Sequence, residues 1–257
     1  MPFTASRPSL HYVVSGAGPP VVFSHALGLD LHMWGQITTS IEERWTVVRY
    51  DTRNHGRSDL IQSPFTLDDL VDDAERLIDE LKHERVSWVG LSLGGMIGLG
   101  LAIRHPGRIA RLVVANTAST YPDDLRRGWI ERGTTARTDG MPALVDFILR
   151  RSFSPAFLAS GDDALSRTRQ TVLAADARGY AACCDAIASL DYQQRLKQIR
   201  CPTLVICGDA DEAVPVSWAQ ALTDAIPGAA LAVIPGSGHL SATEYPRPFA
   251  DLLERFL

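Results

Sequence analysis

Ser92 is the residue best placed to act as a nucleophile, because two glycines flank it in the pattern Gly90-x-Ser-x-Gly94. A short apolar run precedes this pattern at residues 86–89, and a stretch typical of a buried helix follows it at residues 96–103. A serine on a sharp turn from strand to helix presents its hydroxyl beside a helix N-terminus, which favours developing negative charge. Side chains at the two glycine positions would collide with nearby segments of the backbone. Taken alone, the pattern is equally compatible with a glycine-rich turn that holds an incidental serine.

A serine nucleophile needs a general base within hydrogen-bond reach and a carboxylate that orients the base. In a parallel sheet these partners follow later strands, in the order serine, acid, histidine. Among seven histidines, only His239 follows the last apolar run and also comes after Ser92 in the chain. Asp209 and Asp211 follow the run before it, and the later position of Asp211 favours it for reaching the histidine loop. The sequence therefore predicts Ser92 as nucleophile, His239 as base and Asp211 as orienting acid.

The negative charge that forms on an attacked carbonyl oxygen needs two N–H donors aimed at one point. The residue after the nucleophile, Leu93, is expected to supply one backbone amide, and the loop after an early strand is expected to supply the other. Leu27 is the predicted second donor. His25 precedes it at the same edge, and we expect His25 to fix this loop rather than to act as the base.

The elements that position these residues follow one rhythm, in which short apolar runs alternate with stretches that have helical periodicity. The predicted strands lie at residues 10–15, 21–24, 45–50, 86–89, 109–116, 203–207 and 230–234, and the predicted helices at 30–43, 67–81, 96–103, 216–225 and 246–257. Such alternation predicts a mostly parallel, doubly wound α/β sheet whose ligands bind at the carboxyl ends of the strands. No strand-like run occurs between residues 120 and 200. We therefore expect an α/β core of residues 1–119 and 201–257 with a helical lid of residues 120–200.

Composition narrows the function classes. The chain has 257 residues, of which 46% are hydrophobic and 21% charged, and its net charge is −5. No basic block stands out, which argues against nucleic acid and anionic membranes as partners and leaves a small molecule as the expected one. No apolar run approaches the length of a membrane span, and no secretory h-region is visible.

The spacing of the cysteines indicates a reducing compartment, and the absence of known cofactor fingerprints indicates a reaction without a cofactor. The four cysteines form no Cys-x-x-Cys pair, so we expect reduced thiols, a cytoplasmic location and no metal site. Neither a Walker A pattern nor a dinucleotide fingerprint can be read, and no cofactor is expected. The sequence is compatible with a monomer or a small homo-oligomer.

These motifs together resemble the α/β-hydrolase superfamily over nearly the whole chain. The resemblance rests on the Ser92 motif, the loop of residues 51–59 and the loops that carry Asp211 and His239. Finer features at residues 27–34, 179–187 and 238–241 resemble the 3-oxoadipate enol-lactonases of aromatic catabolism. The lid match at 179–187 weighs most, because lids vary more between activities than the sheet does.

The resemblance implies hydrolysis of a small carboxylated enol-lactone, 3-oxoadipate enol-lactone, to 3-oxoadipate through an acyl-enzyme on Ser92. It also implies that Trp129 and Arg132 lie on a lid helix that faces the substrate. Trp129 would form an apolar wall, and Arg132 would bind the free carboxylate of the substrate. The alternative for Arg132 is an ordinary solvated residue on the surface of a helix.

The chain departs from the enol-lactonase pattern at three positions. Ala26 stands where a small polar residue is common, Asn54 replaces a glycine, and Ser152 lies in a segment that lacks an expected tryptophan. We expect these residues to line or approach the substrate pocket, so they bear on the substrate rather than on the catalytic residues. The alternatives are a general carboxylesterase or cofactor-free perhydrolase of the same fold, and, more distantly, a non-catalytic hydrolase-like binding protein.

Overall fold

Seven strands form one sheet in the computed structural model, which describes residues 2–257. In chain order they are β1 (Tyr12–Ser15), β2 (Pro20–Ser24), β3 (Thr46–Tyr50), β4 (Val86–Leu91), β5 (Ile109–Ala115), β6 (Thr203–Gly208) and β7 (Ala230–Ile234). Their spatial order is β1-β3-β2-β4-β5-β6-β7. All neighbours run parallel except β1, which pairs with β3 in the antiparallel sense. The predicted mostly parallel α/β sheet is confirmed.

Helices cover both faces of this sheet. In chain order the α-helices of the described chain are α1 (Gly35–Ile41), α2 (Leu67–Glu80), α3 (Leu93–Arg104), α4 (Asp123–Asp139), α5 (Val145–Ser152), α6 (Pro155–Ser160), α7 (Asp163–Ala174), α8 (Ala177–Ala188), α9 (Val216–Ala225), α10 (Ser241–Glu244) and α11 (Pro246–Phe256). Short 3₁₀ helices occur at Leu31–Trp34, Met141–Ala143 and Gln193–Gln198. Helices α2, α3 and α9 pack on one face of the sheet, and α1 and α11 pack on the other.

Helix α2 shows how the sequence specifies these covers. Thr66 caps it, since its hydroxyl accepts from the amide of Asp69 while the Asp69 carboxylate accepts from the amide of Thr66. The apolar residues at three- and four-residue spacing are buried against the sheet. Asp73, on the buried side of the helix, pairs with Arg53 and so fixes the loop that follows β3.

The segment between β5 and β6 contains helices α4 to α8 and lies over the carboxyl ends of the strands. Helices α4 and α8 pack so closely that a side chain at Gly133 would come within 3.2 Å of the Ala181 carbonyl oxygen. The guanidinium of Arg126 donates to the carbonyls of Ala188 (2.7 Å) and Leu190 (2.8 Å), which ties the start of this segment to its end. We propose that this segment is a lid, with the boundaries predicted above.

None of the helices within residues 2–257 combines the length and the apolar character that crossing a membrane requires.

Candidate active site

Ser92 occupies the tight turn between β4 and α3 with a strained backbone, at φ +54° and ψ −113°. A side chain at Gly90 would overlap the carbonyl of Gly94, and one at Gly94 would overlap the carbonyl of Ser24 on β2. The two glycines therefore let the turn pass close to its neighbours, as the sequence predicts. The strain persists because packing on all sides holds the turn, and it projects the Ser92 hydroxyl from the edge of the sheet.

Three residues that are far apart in the chain meet at this hydroxyl. The Nε2 atom of His239 lies 3.0 Å from Ser92 Oγ, and its Nδ1 atom lies 2.8 Å from Asp211 Oδ2. Asp211 follows β6 and His239 follows β7, so parallel strands deliver both to the same edge. The alternative acid, Asp209, instead accepts from the amide of Gly236 at 2.6 Å and fixes the turn after β7. The arrangement lets His239 take the proton of Ser92 while Asp211 orients the ring.

Asp211 is held as an ionised acceptor. Its Oδ1 atom accepts from the amides of Ala213 (2.7 Å) and Val214 (2.9 Å), and its Oδ2 atom accepts from Asn116 Nδ2 (3.0 Å) as well as from His239. Burial opposes ionisation, but the charge of His239 and these hydrogen bonds outweigh it, so the pKa of the carboxyl lies below its ordinary value. Asn116 has φ +47°, and no sequence pattern marks it as part of the site.

The two amides predicted to bind the oxyanion lie at the ends of neighbouring strands. Leu93 is the first residue of α3, so its N–H has no partner within the helix. Leu27 follows β2, and the carbonyl of its peptide group belongs to Ala26, which accepts from His25 Nδ1 at 2.8 Å. Fixing the carbonyl end of this peptide also fixes the direction of the Leu27 N–H. Their role as oxyanion donors stays a prediction.

Two buried histidines, His25 and His55, fix the Leu27 loop through hydrogen bonds to its backbone. His25 Nε2 accepts from the amide of Thr52 (3.0 Å), and His55 Nε2 accepts from the amide of Gly28 (3.0 Å). Because each Nε2 is an acceptor, each ring carries its proton on Nδ1, from which His25 donates to Ala26. Burial lowers the pKa of both rings, and that of His55 falls to about 3. Both histidines are therefore neutral supports, and the predicted structural role of His25 has a specific geometry.

A cavity of about 280 Å³ opens above Ser92 and His239, beneath the segment that we propose as a lid. Trp129 and Arg132 of α4 both line it, and their role in binding substrate stays a prediction. The Arg132 guanidinium lies 4.2 Å from the centre of the Trp129 ring and 4.8 Å from that of the Phe147 ring. Contact with these two ring faces holds the cation over the cavity rather than in open solvent.

The three departures from the enol-lactonase pattern take different places. Ala26 and Ser152 line the cavity, as expected, but Asn54 does not. The Asn54 side chain is bonded to the backbone of Ile61 and packs on Gly179 of α8. Its φ of +65° explains the glycine that it replaces, since asparagine tolerates this conformation better than most residues. Asn54 therefore bears on the loop and its contact with α8 rather than directly on substrate.

Sequence reasoning missed two further polar residues at the site. The buried carboxylate of Glu244 accepts from the amide of Gly238 (2.9 Å) and from the amide and hydroxyl of Ser154. It thereby joins the His239 loop to the start of α6. Arg151 of α5 also lines the cavity. Neither residue belongs to a recognisable pattern, and only the assembled fold shows where they lie.

Among residues 2–257, one group of three side chains has the spacing of a metal site, namely Asp72, Glu75 and His105. It lies on α2 and at the end of α3, away from Ser92. Arg104 already pairs with Asp72 at 2.7 Å, and His105 Nδ1 with Glu75 at 2.7 Å. The group is explained by these ion pairs, and the chemistry of the candidate site is that of Ser92 and its partners.

The family comparison agrees with this fold. The family model described as alpha/beta hydrolase fold matches residues 19–244, and the chain belongs to this family. The 3-oxoadipate enol-lactonase 2 of Acinetobacter baylyi is 32% identical to it over 253 residues, which cover 98% of this chain and 94% of that protein.

Solved structures give the same picture. The crystal structure of the enol-lactonase from Burkholderia xenovorans LB400 is similar to this chain with a TM-score of 0.95 and 34% sequence identity, over 99% of both chains. A malate-bound thermophilic esterase from Thermogutta terrifontis matches with a TM-score of 0.91 and 25% identity, over 98% of this chain and 95% of its own. The chain is thus an enzyme of the carboxylic-ester hydrolase class.

Proposed function

We propose that this enzyme hydrolyses a small enol-lactone that carries a free carboxylate, and that 3-oxoadipate enol-lactone is its substrate. The observation that carries the proposal is the charge of the cavity above Ser92. Among residues 2–257, its lining includes two arginines, Arg132 and Arg151, and no acidic side chain, although the whole chain has a net charge of −5. A positive pocket in an acidic protein favours an anionic substrate. The similarity to enol-lactonases supports the choice of an enol-lactone among such anions.

The site residues suit this reaction in two steps. In the first, Ser92 Oγ attacks the lactone carbonyl while His239 takes the hydroxyl proton, and the amides of Leu27 and Leu93 bind the oxyanion. The ring C–O bond then breaks, and His239 returns the proton to the departing enol oxygen. The enol becomes a ketone, so the leaving group does not readily attack the ester again. In the second step, His239 activates a water molecule that releases the acid and regenerates Ser92.

Arg132 is the proposed partner of the substrate carboxylate. The rings of Trp129 and Phe147 hold its guanidinium, which also interacts with the Tyr180 hydroxyl, and its remaining N–H groups can bind a carboxylate. The same two rings form an apolar wall beside the lactone. A neutral ester would gain from the wall but not from the cation.

Four free cysteines, all of them buried, suit a reducing compartment, and we propose that the enzyme works in the cytoplasm. We also propose, from the similarity to 3-oxoadipate enol-lactonases, that the reaction belongs to the catabolism of aromatic compounds.

The proposal is tested by comparing hydrolysis of the carboxylated enol-lactone with that of its methyl ester, which keeps the ring but lacks the charge. We expect kcat/KM to be about 100-fold higher for the carboxylate, the range that one charged contact supplies. In Arg132→Met the preference is expected to disappear, whereas Arg127→Met, which changes an exposed arginine on the same helix, leaves it unchanged. Equal hydrolysis of both compounds would favour a general carboxylesterase. Production of peracid from acetate and hydrogen peroxide, with no lactone hydrolysis, would favour a perhydrolase.

A further inference from the structure

Helix α5 presents one face to the cavity, and Arg151 lies on that face. Phe147, Ile148, Arg151 and Ser152 line the cavity, at the spacing that places residues on the same side of a helix. The end of α5 is fixed against the catalytic loop, because the Leu240 amide donates to the carbonyl of Ser152 at 2.8 Å. Arg151 therefore stands next to the loop that carries His239.

The charge of Arg151 lacks a protein partner. Among the hydrogen bonds, ion pairs and ring contacts of residues 2–257, none involves its side chain, although it is partly buried. Several other arginines are paired, for example Arg53 with Asp73 and Arg169 with Asp146. A partly buried guanidinium is stabilised when a ligand of opposite charge binds beside it. Because Arg151 lines the cavity above Ser92, its charge can act on a ligand bound there.

Arg132 and Arg151 serve the same cavity from two helices. Arg132, on α4, rests on the ring of Phe147, which precedes Arg151 by one helical turn of α5. The charges of both arginines also act on the buried phenol of Tyr121, opposing the rise in pKa that burial causes. Both arginines therefore lie within electrostatic reach of Tyr121, Arg132 from α4 and Arg151 from α5.

We propose that Arg151 is a second carboxylate-binding residue, and that the cavity holds the two carboxylates of a short linear dicarboxylate at once. The inference rests on the proposed function. Hydrolysis of a carboxylated lactone adds one water, breaks the ring ester bond and releases one proton, so a monoanion becomes a dianion. Arg132 holds the carboxylate that the substrate brings, and Arg151, beside the His239 loop, receives the carboxylate that hydrolysis creates. Arg151 is thus a specificity residue for the product charge.

The test measures inhibition and does not need the lactone. Hydrolysis of p-nitrophenyl acetate is inhibited with adipate, which has two carboxylates, and with hexanoate, which has the same length and one. The wild-type enzyme is expected to bind adipate about tenfold more tightly than hexanoate, since one additional charge-assisted contact is worth about that factor. Arg151→Met abolishes the preference by weakening adipate alone, because hexanoate still has Arg132. Arg151→Lys restores part of it.

Arg150→Met is the matched control, because Arg150 precedes Arg151 on α5 and is exposed. It removes the same charge and is expected to leave both inhibition constants and the hydrolysis rate unchanged. An absence of any adipate preference in the wild type, an equal loss for both inhibitors in Arg151→Met, or an equal effect of Arg150→Met would overturn the proposal. If the preference follows Arg151 but the carboxylated lactone is not hydrolysed, the subsite stands and the proposed substrate is wrong. If the carboxylated lactone is hydrolysed but the wild-type enzyme shows no preference for adipate, the proposed substrate stands and the Arg151 subsite is wrong.

Discussion

The imidazole Nδ1 atom of His25 lies 2.8 Å from the carbonyl oxygen of Ala26, and this carbonyl shares its peptide group with the amide of Leu27. The amide of Thr52 donates to the other nitrogen of the ring, which places the ring proton on Nδ1. A histidine that does not line the cavity thus sets the direction of the Leu27 N–H, the group that we predict to face the nucleophile.

Replacing His25 with alanine is expected to lower kcat by about 10- to 100-fold with little change in KM, because we predict that the Leu27 amide binds the oxyanion of the transition state and not the ester of the ground state. Steady-state kinetics on p-nitrophenyl acetate check this split. His32→Ala is the control, since His32 is exposed on the 3₁₀ helix that follows the same loop. A rise in KM at constant kcat would show that the loop shapes substrate binding instead.

The buried histidines also predict loss of stability in acid. His55 has a pKa of about 3 in the folded protein and an ordinary value near 6.5 when unfolded, so between these values the unfolded chain binds a proton that the folded chain does not. The free energy of unfolding therefore falls as pH drops below about 6.5, by about 2 kcal/mol at pH 5 for this ring. The lowered pKa of His25 acts in the same direction.

His55→Gln isolates this contribution, because the glutamine oxygen still accepts from the Gly28 amide but binds no proton. Urea unfolding between pH 5 and 6 is expected to give a slope against pH that is smaller by about 1.2 kcal/mol per pH unit in the variant. Equal slopes for the two proteins would mean that His55 is charged in the folded state.

Asn116 is predicted to support catalysis through Asp211. Removing its side chain takes one of the hydrogen bonds from the buried carboxylate, which raises the pKa of Asp211 and loosens the hold on His239. Asn116→Gly suits the φ of +47° and removes the side chain alone, whereas Asn116→Ala adds backbone strain. We expect both variants to lose about tenfold in kcat/KM, and Asn116→Ala to have the lower melting temperature as well. Full activity in Asn116→Gly would show that the backbone amides of Ala213 and Val214 hold Asp211 without help.

Much of this site can be predicted from the sequence, because local pattern and chain order identify its key residues. Ser92 needs its two glycines, and Asp211 and His239 need turns directly after buried strands. Asn116, Glu244 and Arg151 have no such requirement. Each acts through a contact with a segment far along the chain, such as the bond from Gly238 to Glu244 or the fit of α5 against the Leu240 loop. The antiparallel pairing of β1 with β3 could not be predicted either, because a short alternating run does not indicate the direction of its strand relative to its neighbour.

The central claim is that Ser92 opens a carboxylated enol-lactone. Its most direct test is the rate of 3-oxoadipate enol-lactone hydrolysis by the wild-type enzyme and by Ser92→Ala, with circular dichroism to verify that the variant is folded. We predict a wild-type kcat/KM above about 10⁴ M⁻¹s⁻¹ and a decrease of at least about 10⁴-fold in the variant. A folded Ser92→Ala enzyme that keeps more than a tenth of the wild-type rate would contradict the account.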